Sequence, residues 1–202
     1  MNGIDISAHN GVIDWEKVKA DKNVDFVILR CGFGIEAPNQ EDKRFAENYA
    51  ACKRLHIPVG AYHYSYANSV RSAEEEAAFC LKLIDGKKFE FPIFYDIEEK
   101  MHIMRRNCDD IAAAFCNKLE AMGYFAGVYT FDSFAKTNLT DKTKKRYAMW
   151  IARIGGKPRY SPYGIHQYSW TEKISGIAGD TDADRCTINY PDIIVKKHFN
   201  GY

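Results

Sequence analysis

Apolar positions along this chain fall into a repeating rhythm: a compact apolar run, a polar or glycine turn, then apolar residues spaced three and four apart. Residues 3–7 read as a short strand, and Asp14 stands where it would cap a helix carrying Trp15 and Val18. "VDFVILRCGFG" reads as a buried strand closing in a glycine turn. Phe45, Tyr49, Cys52 and Leu55 then recur at helical spacing. "IPVGAYHYSYA" is a third strand, followed by a helix over about 72–84 that Gly86 is placed to end. "FPIFYDIEEK" gives a fourth strand, and Ile111, Phe115, Leu119 and Met122 stripe a helix closed by Gly123. "YFAGVYT" is the fifth strand. Three further strands, "YAMWIARI", "YGIHQYSW" and residues 181–187, follow without full helices between them.

Five βα units and three bare strands exceed what a small open parallel sheet accommodates, so the pattern predicts an α/β fold, a single irregular TIM-like β/α barrel. Its 202 residues suit one domain spanning 1–202. In such a barrel chemistry sits at the carboxyl ends of the strands. There the pattern puts Asp5 after strand 1, Tyr62, His63 and Tyr64 after strand 3, and Asp96 and Glu98 after strand 4. Tyr129 ends strand 5, Gln167 and Tyr168 a late strand, and Asp182 the last.

Strand alternation sharpens the fourth strand. Ile93, Tyr95 and Ile97 face outward, while Phe94, Asp96 and Glu98 face the interior, and Glu99 falls on the wrong face as a solvated charge. Two carboxyls at i and i+2 lie about 6–7 Å apart at Cα. Crowding should hold one protonated, which general acid catalysis at a glycosidic bond requires. A D-x-E pair on a strand is also compatible with a metal site or a structural ion pair. Asp5 argues for chemistry, and "GDTDADRC" leaves Asp180, Asp182 and Asp184 open. His63, between two tyrosines, is either a ligand contact or a hydrogen-bonded wall residue.

Composition narrows the class. With 28 basic and 27 acidic residues the net charge is +1, and no basic block suits nucleic acid; the run Lys142 to Arg146 reads as a solvated helix face. No segment approaches the length of a membrane span. The six cysteines form no C-x-x-C pair, the histidines no H-E-x-x-H, and neither a phosphate loop nor a G-x-S-x-G elbow is present. No metal and no cofactor are expected. The N-terminus enters a strand directly, as for a trimmed secreted domain or a lysin made without its own signal peptide.

In order, "GIDISAHNGVIDWEKVK", "FVILRCGFG", "DKRFAEN", "VGAYHYSYA", "FPIFYDIE", "GYFAGVYT", "MWIAR", "YGIHQYS" and "GIAGDTDADRCTINYP" resemble glycoside hydrolase family 25, the Chalaropsis-type lysozymes, over residues 3–191. The resemblance implies a barrel of eight strands and five helices. It also implies hydrolysis of the β-1,4 bond between N-acetylmuramic acid and N-acetylglucosamine in peptidoglycan, by a monomer acting outside the cell or on its wall. It assigns Glu98 as general acid, Asp96 as its carboxylate partner, Asp5 as the strand 1 acid and Asp182 as the last strand's acid. Tyr62, Tyr64, Tyr129, Trp150 and Gln167 would line the sugar groove, with His63 a further contact. Asp96 is expected to orient a substrate acetamido group that attacks the anomeric carbon. Two departures, His166 and Phe134 where the family carries Trp, would remove aromatic area from that groove. Other acetamido-sugar hydrolases, chitinase-like or glucosaminidase-like, and a non-catalytic wall-binding module are the alternatives; retention of all four acids argues against the last.

Overall fold

A computed structural model describes residues 1–98 and 107–202. Glu99, considered above, lies outside the described residues. Eight strands close a barrel in sequence order. They are β1 (Asn2–Ile6), β2 (Phe26–Phe33), β3 (Val59–Tyr64), β4 (Ile93–Asp96), β5 (Ala126–Phe131), β6 (Ala148–Ala152), β7 (Ile165–Glu172) and β8 (Thr181–Cys186). Strands β1 to β7 pair in parallel, whereas β8 runs antiparallel to both β7 and β1.

That reversal corrects one expectation. Asp182 lies at the beginning of β8, not its end, and antiparallel pairing brings that beginning to the mouth where β1 to β7 finish. The bare strands carry no full crossover helix that would force a parallel return.

Alternation along each strand divides the core in two. Val27, Leu29, Val59, Ala61, Ile93, Tyr95, Ile97 and Val128 face outward onto helices. Phe26, Ile28, Phe94, Tyr129, Trp150 and Ile165 fill the barrel. Large inward rings fit because small residues oppose them: a Cβ on Gly3 would meet the Phe26 ring at 2.3 Å, and one on Gly127 the Phe94 ring at 2.5 Å. Phe91 stacks on Phe26 at 4.2 Å between centroids and closes the floor with Tyr190. The interior is thus a packed apolar plug below and a polar mouth above.

Seven α-helices occur among the described residues, against the five expected: α1 (Trp15–Ala20), α2 (Phe45–Arg54), α3 (Val70–Ile84), α4 (Cys108–Ala121), α5 (Asp132–Asn138), α6 (Asp141–Arg146) and α7 (Tyr190–Lys196). The long ones follow amphipathic periodicity. Asp14 caps α1 through Lys17 N at 3.2 Å, and α4 buries Ile111, Phe115 and Leu119. Periodicity missed α5 because it is short, whereas the basic run read as a solvated helix face falls in α6, which buries only Thr143 and turns Lys144, Lys145 and Arg146 toward Asp141 and Glu120. All six cysteines are buried, and none is joined in a disulfide.

Candidate active site

Above the plug a cavity of about 740 Å³ opens at the mouth. Strands β1 to β6 contribute through inward positions toward their carboxyl ends, β7 through Gln167, and the antiparallel β8 through Asp182 at its beginning. Register aligns Tyr64 with Asp96, Asp96 with Tyr129, Tyr129 with Trp150, and Asp5 with Asp182. One layer of the barrel therefore carries acids and aromatics drawn from both ends of the chain. Asp5, Asp96, Glu98, Asp182, Tyr62, Tyr64, Tyr129, Trp150 and Gln167 all line the cavity. Asp5 and Asp96 are buried, while Glu98 and Asp182 are partly open.

His63 does not join them. Tyr62 and Tyr64 point inward, so the residue between them points outward, where His63 is fully buried against Phe79 and Phe115. Its Nε2 donates to the Gly34 carbonyl at 2.8 Å, leaving Nδ1 3.9 Å from Cys31 Sγ. It is the wall residue of the two readings.

Hydrogen bonds tie the acids to the wall. Gln167 Nε2 donates to Asp5 Oδ2 at 2.8 Å, while its Oε1 accepts from Tyr129 OH at 2.8 Å and Trp170 Nε1 at 2.9 Å. One buried amide thus fixes β1, β5 and β7 to one another. Asp42 plays the same part at the rim. Its Oδ2 accepts from Arg30 Nε at 2.8 Å and Ala8 N at 2.9 Å, and its Oδ1 from Arg44 N at 3.0 Å. Ser7 caps the short helix Ala8–Asn10, accepting from His9 N at 3.2 Å, which sets Ser7, His9 and Asn10 on the rim.

The electrostatics centre on β1 and β8. Burial, with Asp184 and Asp182 beside it, raises the Asp5 carboxyl well above the usual range. Burial lifts Asp182 to about 6 and Asp184 to about 8, the latter aided by the charge of Asp182. Burial and the nearby acids push the Tyr62 and Tyr129 phenols well up, so both are neutral donors near pH 7. Burial thus favours the protonated form of the β1 and β8 carboxyls.

For metal ligation, the described residues bring together one group, Cys31, His63 and Cys80, with donor atoms within 4.8 Å of one another. It lies behind the barrel wall. Cys31 Sγ also donates to the Tyr62 carbonyl at 3.2 Å. Three donors, hydrogen-bonded and fully buried, fall short of the closed four-donor set of a structural zinc site, and they read as core packing.

Residues 4–177 match the family described as Glycosyl hydrolases family 25. The chain belongs to that family. It is 30% identical over 186 residues to the autolytic lysozyme of Clostridium acetobutylicum, covering 91% of this chain and 55% of the relative. Among solved structures, the CTP1L endolysin superposes with a TM-score of 0.84 at 27% identity, covering 96% of this chain and 69% of that one. The modular autolysin LytC of Streptococcus pneumoniae gives 0.79 at 31%, covering 91% and 46%. This family 25 chain spans about half the length of the clostridial and pneumococcal relatives it matches. The matched segment ends before β8, so the cavity's Asp182 comes from beyond it.

The two departures do not reach the cavity lining. His166 faces outward and bonds the Arg153 carbonyl at 2.8 Å, and Phe134 is buried in α5 against the outer core. Several rim residues had escaped notice: Arg30, Phe33, Tyr66, Ser7, His9 and Asn10, while Asp180, one of the three aspartates left open, also lines the rim. Arg30 did leave a signal, as the one charge inside "FVILRCG" and in phase with inward Ile28. Asp184 was visible only as one of three aspartates in an acidic stretch.

Proposed function

We propose that this chain is a muramidase, a single catalytic domain that hydrolyses the β-1,4 bond from N-acetylmuramic acid to N-acetylglucosamine in peptidoglycan. The observation that carries the reading is the convergence of Asp5, Asp96, Glu98 and Asp182 with Tyr62, Tyr64 and Tyr129 on one open mouth. Family membership supports it, as does the related LytC, whose structure is known in complex with a synthetic peptidoglycan ligand.

Glu98, two residues past the end of β4 and more open than Asp96, donates its proton to the leaving glycosidic oxygen. The substrate's acetamido oxygen attacks the anomeric carbon as that bond breaks, and Asp96 accepts the acetamido N–H and balances its growing positive charge. Water then opens the cyclic intermediate, losing a proton to the Glu98 carboxylate. Asp5 and Asp182 hold sugar hydroxyls and the acetamido side from the opposite wall. The tyrosines and Trp150 supply the flat apolar surface on which pyranose rings rest. All these groups come from one chain, and the enzyme acts as a monomer on bacterial walls.

Digested peptidoglycan reduced with borohydride tests the bond assignment. Muramitol at the new ends is the expected product. Glucosaminitol would instead make the chain a glucosaminidase, and no new reducing ends would leave a wall-binding module.

A further inference from the structure

Two carboxyls meet beneath the mouth, one of them outside the set already given a role. Alternation on β8 turns Asp182 and Asp184 inward and Arg185 out to solvent. Asp182 pairs with Asp5, and Asp184 pairs with Gly3 one layer deeper. Asp184 is fully buried and does not line the cavity. Its Oδ1 accepts from Trp150 Nε1 at 2.7 Å. Its Oδ2 is buried with no hydrogen-bond partner among the described residues, and the register sets Asp184 diagonal to Asp5 on the same inner face, close enough for the two carboxyls to act on each other.

Two ionised carboxylates in contact at such a depth would repel without compensation, and a single proton between them removes the conflict. We propose that Asp184 is a positioning residue that shares one proton with Asp5, holding the strand 1 acid and Trp150 in place while keeping the floor's charge one unit lower. The inference rests on the reading of Asp5 as a site acid for its consequence in catalysis, but not for the proton sharing itself.

The surrounding groups agree with a proton in that position. On β8 Asp182 adds negative charge, and across the barrel β4 adds Asp96 and Glu98. The β3 and β5 neighbours, Tyr62 and Tyr129, are neutral phenols. The cation facing the cavity, Arg30 of β2, is already engaged by Asp42 at 2.8 Å. From β7 comes the neutral Gln167, and from β6 the indole N–H of Trp150. Loss of the shared proton would place a second full charge beneath Asp5. Substrate would then meet a more repulsive, less ordered floor, and activity would fall on the alkaline side.

Trp150 reports on this pair directly through its hydrogen bond. Indole ¹H–¹⁵N resonances of the uniformly labelled full chain, assigned with Trp15→Phe and Trp170→Phe, are followed from pH 6 to 9.5. The expected result is a sigmoidal shift of the Trp150 resonance with a midpoint near 8, absent in Asp184→Asn, whose amide can still accept from the indole and donate to Asp5. The pH profile of kcat/KM should lose the same alkaline ionisation in that variant. A Trp150 resonance flat across the range in the wild type overturns the inference, and so does a shift that persists unchanged in Asp184→Asn. The wild-type titration decides the matter even if the variant fails to fold. A chain that titrates as described but cuts no wall would retain the shared proton and refute the proposed function instead.

Discussion

Asp5 on β1 and Asp182 on β8 are Cα partners in an antiparallel pair, although one stands near the start of the chain and the other near its end. Their pairing closes the barrel at the mouth. It also means that the cavity's acids are assembled only when the last strand docks, so the site and the closure of the fold are one event.

Gln167 is the joint of that closure. Replacing it with Leu removes the donor to Asp5 Oδ2 and leaves the buried Tyr129 hydroxyl without its acceptor. Each unpaired buried group costs about 1–3 kcal/mol. Gln167→Leu should therefore lower the unfolding free energy by a few kcal/mol in urea titrations and reduce kcat/KM by about 10-fold or more. Wild-type stability in the variant would show that the network is idle.

His63 offers the opposite test, since it sits behind the wall with no exposure. His63→Ala should cost roughly 2–4 kcal/mol, as large-to-small core changes do. The folded fraction should keep its KM for wall fragments. A selective rise in KM with unchanged stability would return His63 to the sugar groove.

The raised acids give a pH dependence of defined sign. Asp5, Asp182 and Asp184 all hold protons more tightly in the folded chain than in the unfolded one. Their contribution to stability is fully present below the unfolded carboxyl range, near 4, and is lost as pH rises through the folded values, about 6 for Asp182 and about 8 for Asp184. Thermal midpoints, measured at constant ionic strength, should fall between pH 5 and 9, and Asp184→Asn should flatten the upper part of that fall. A midpoint rising steadily toward pH 9 would contradict the burial of protonated acids.

Much of this was readable along the chain, because the side-chain period of a strand is two and the core is two-sided. The rule that put Asp96 and Glu98 inside with Phe94 also put Tyr62 and Tyr64 inside. Applied strictly, it would have excluded His63. The direction of β8 was not readable, since a bare strand of "TDADRC" carries no information about which neighbour it will oppose. Asp184 was hidden for a related reason: three acids at alternate positions look like a solvated turn until a partner strand gives them an inside. Helix α5 escaped because it buries too few residues to imprint a period.

The roles on β4 remain the centre of the account, and Glu98 is where they are most exposed to test. Glu98→Gln keeps the shape of the side chain and removes its ability to give up a proton. Release of reducing ends from purified peptidoglycan should fall by at least 10²-fold, the scale of a lost general acid, while binding to the same walls and the thermal midpoint stay at wild-type levels. A Glu98→Gln protein that cuts walls as fast as the wild type would contradict the assignment outright.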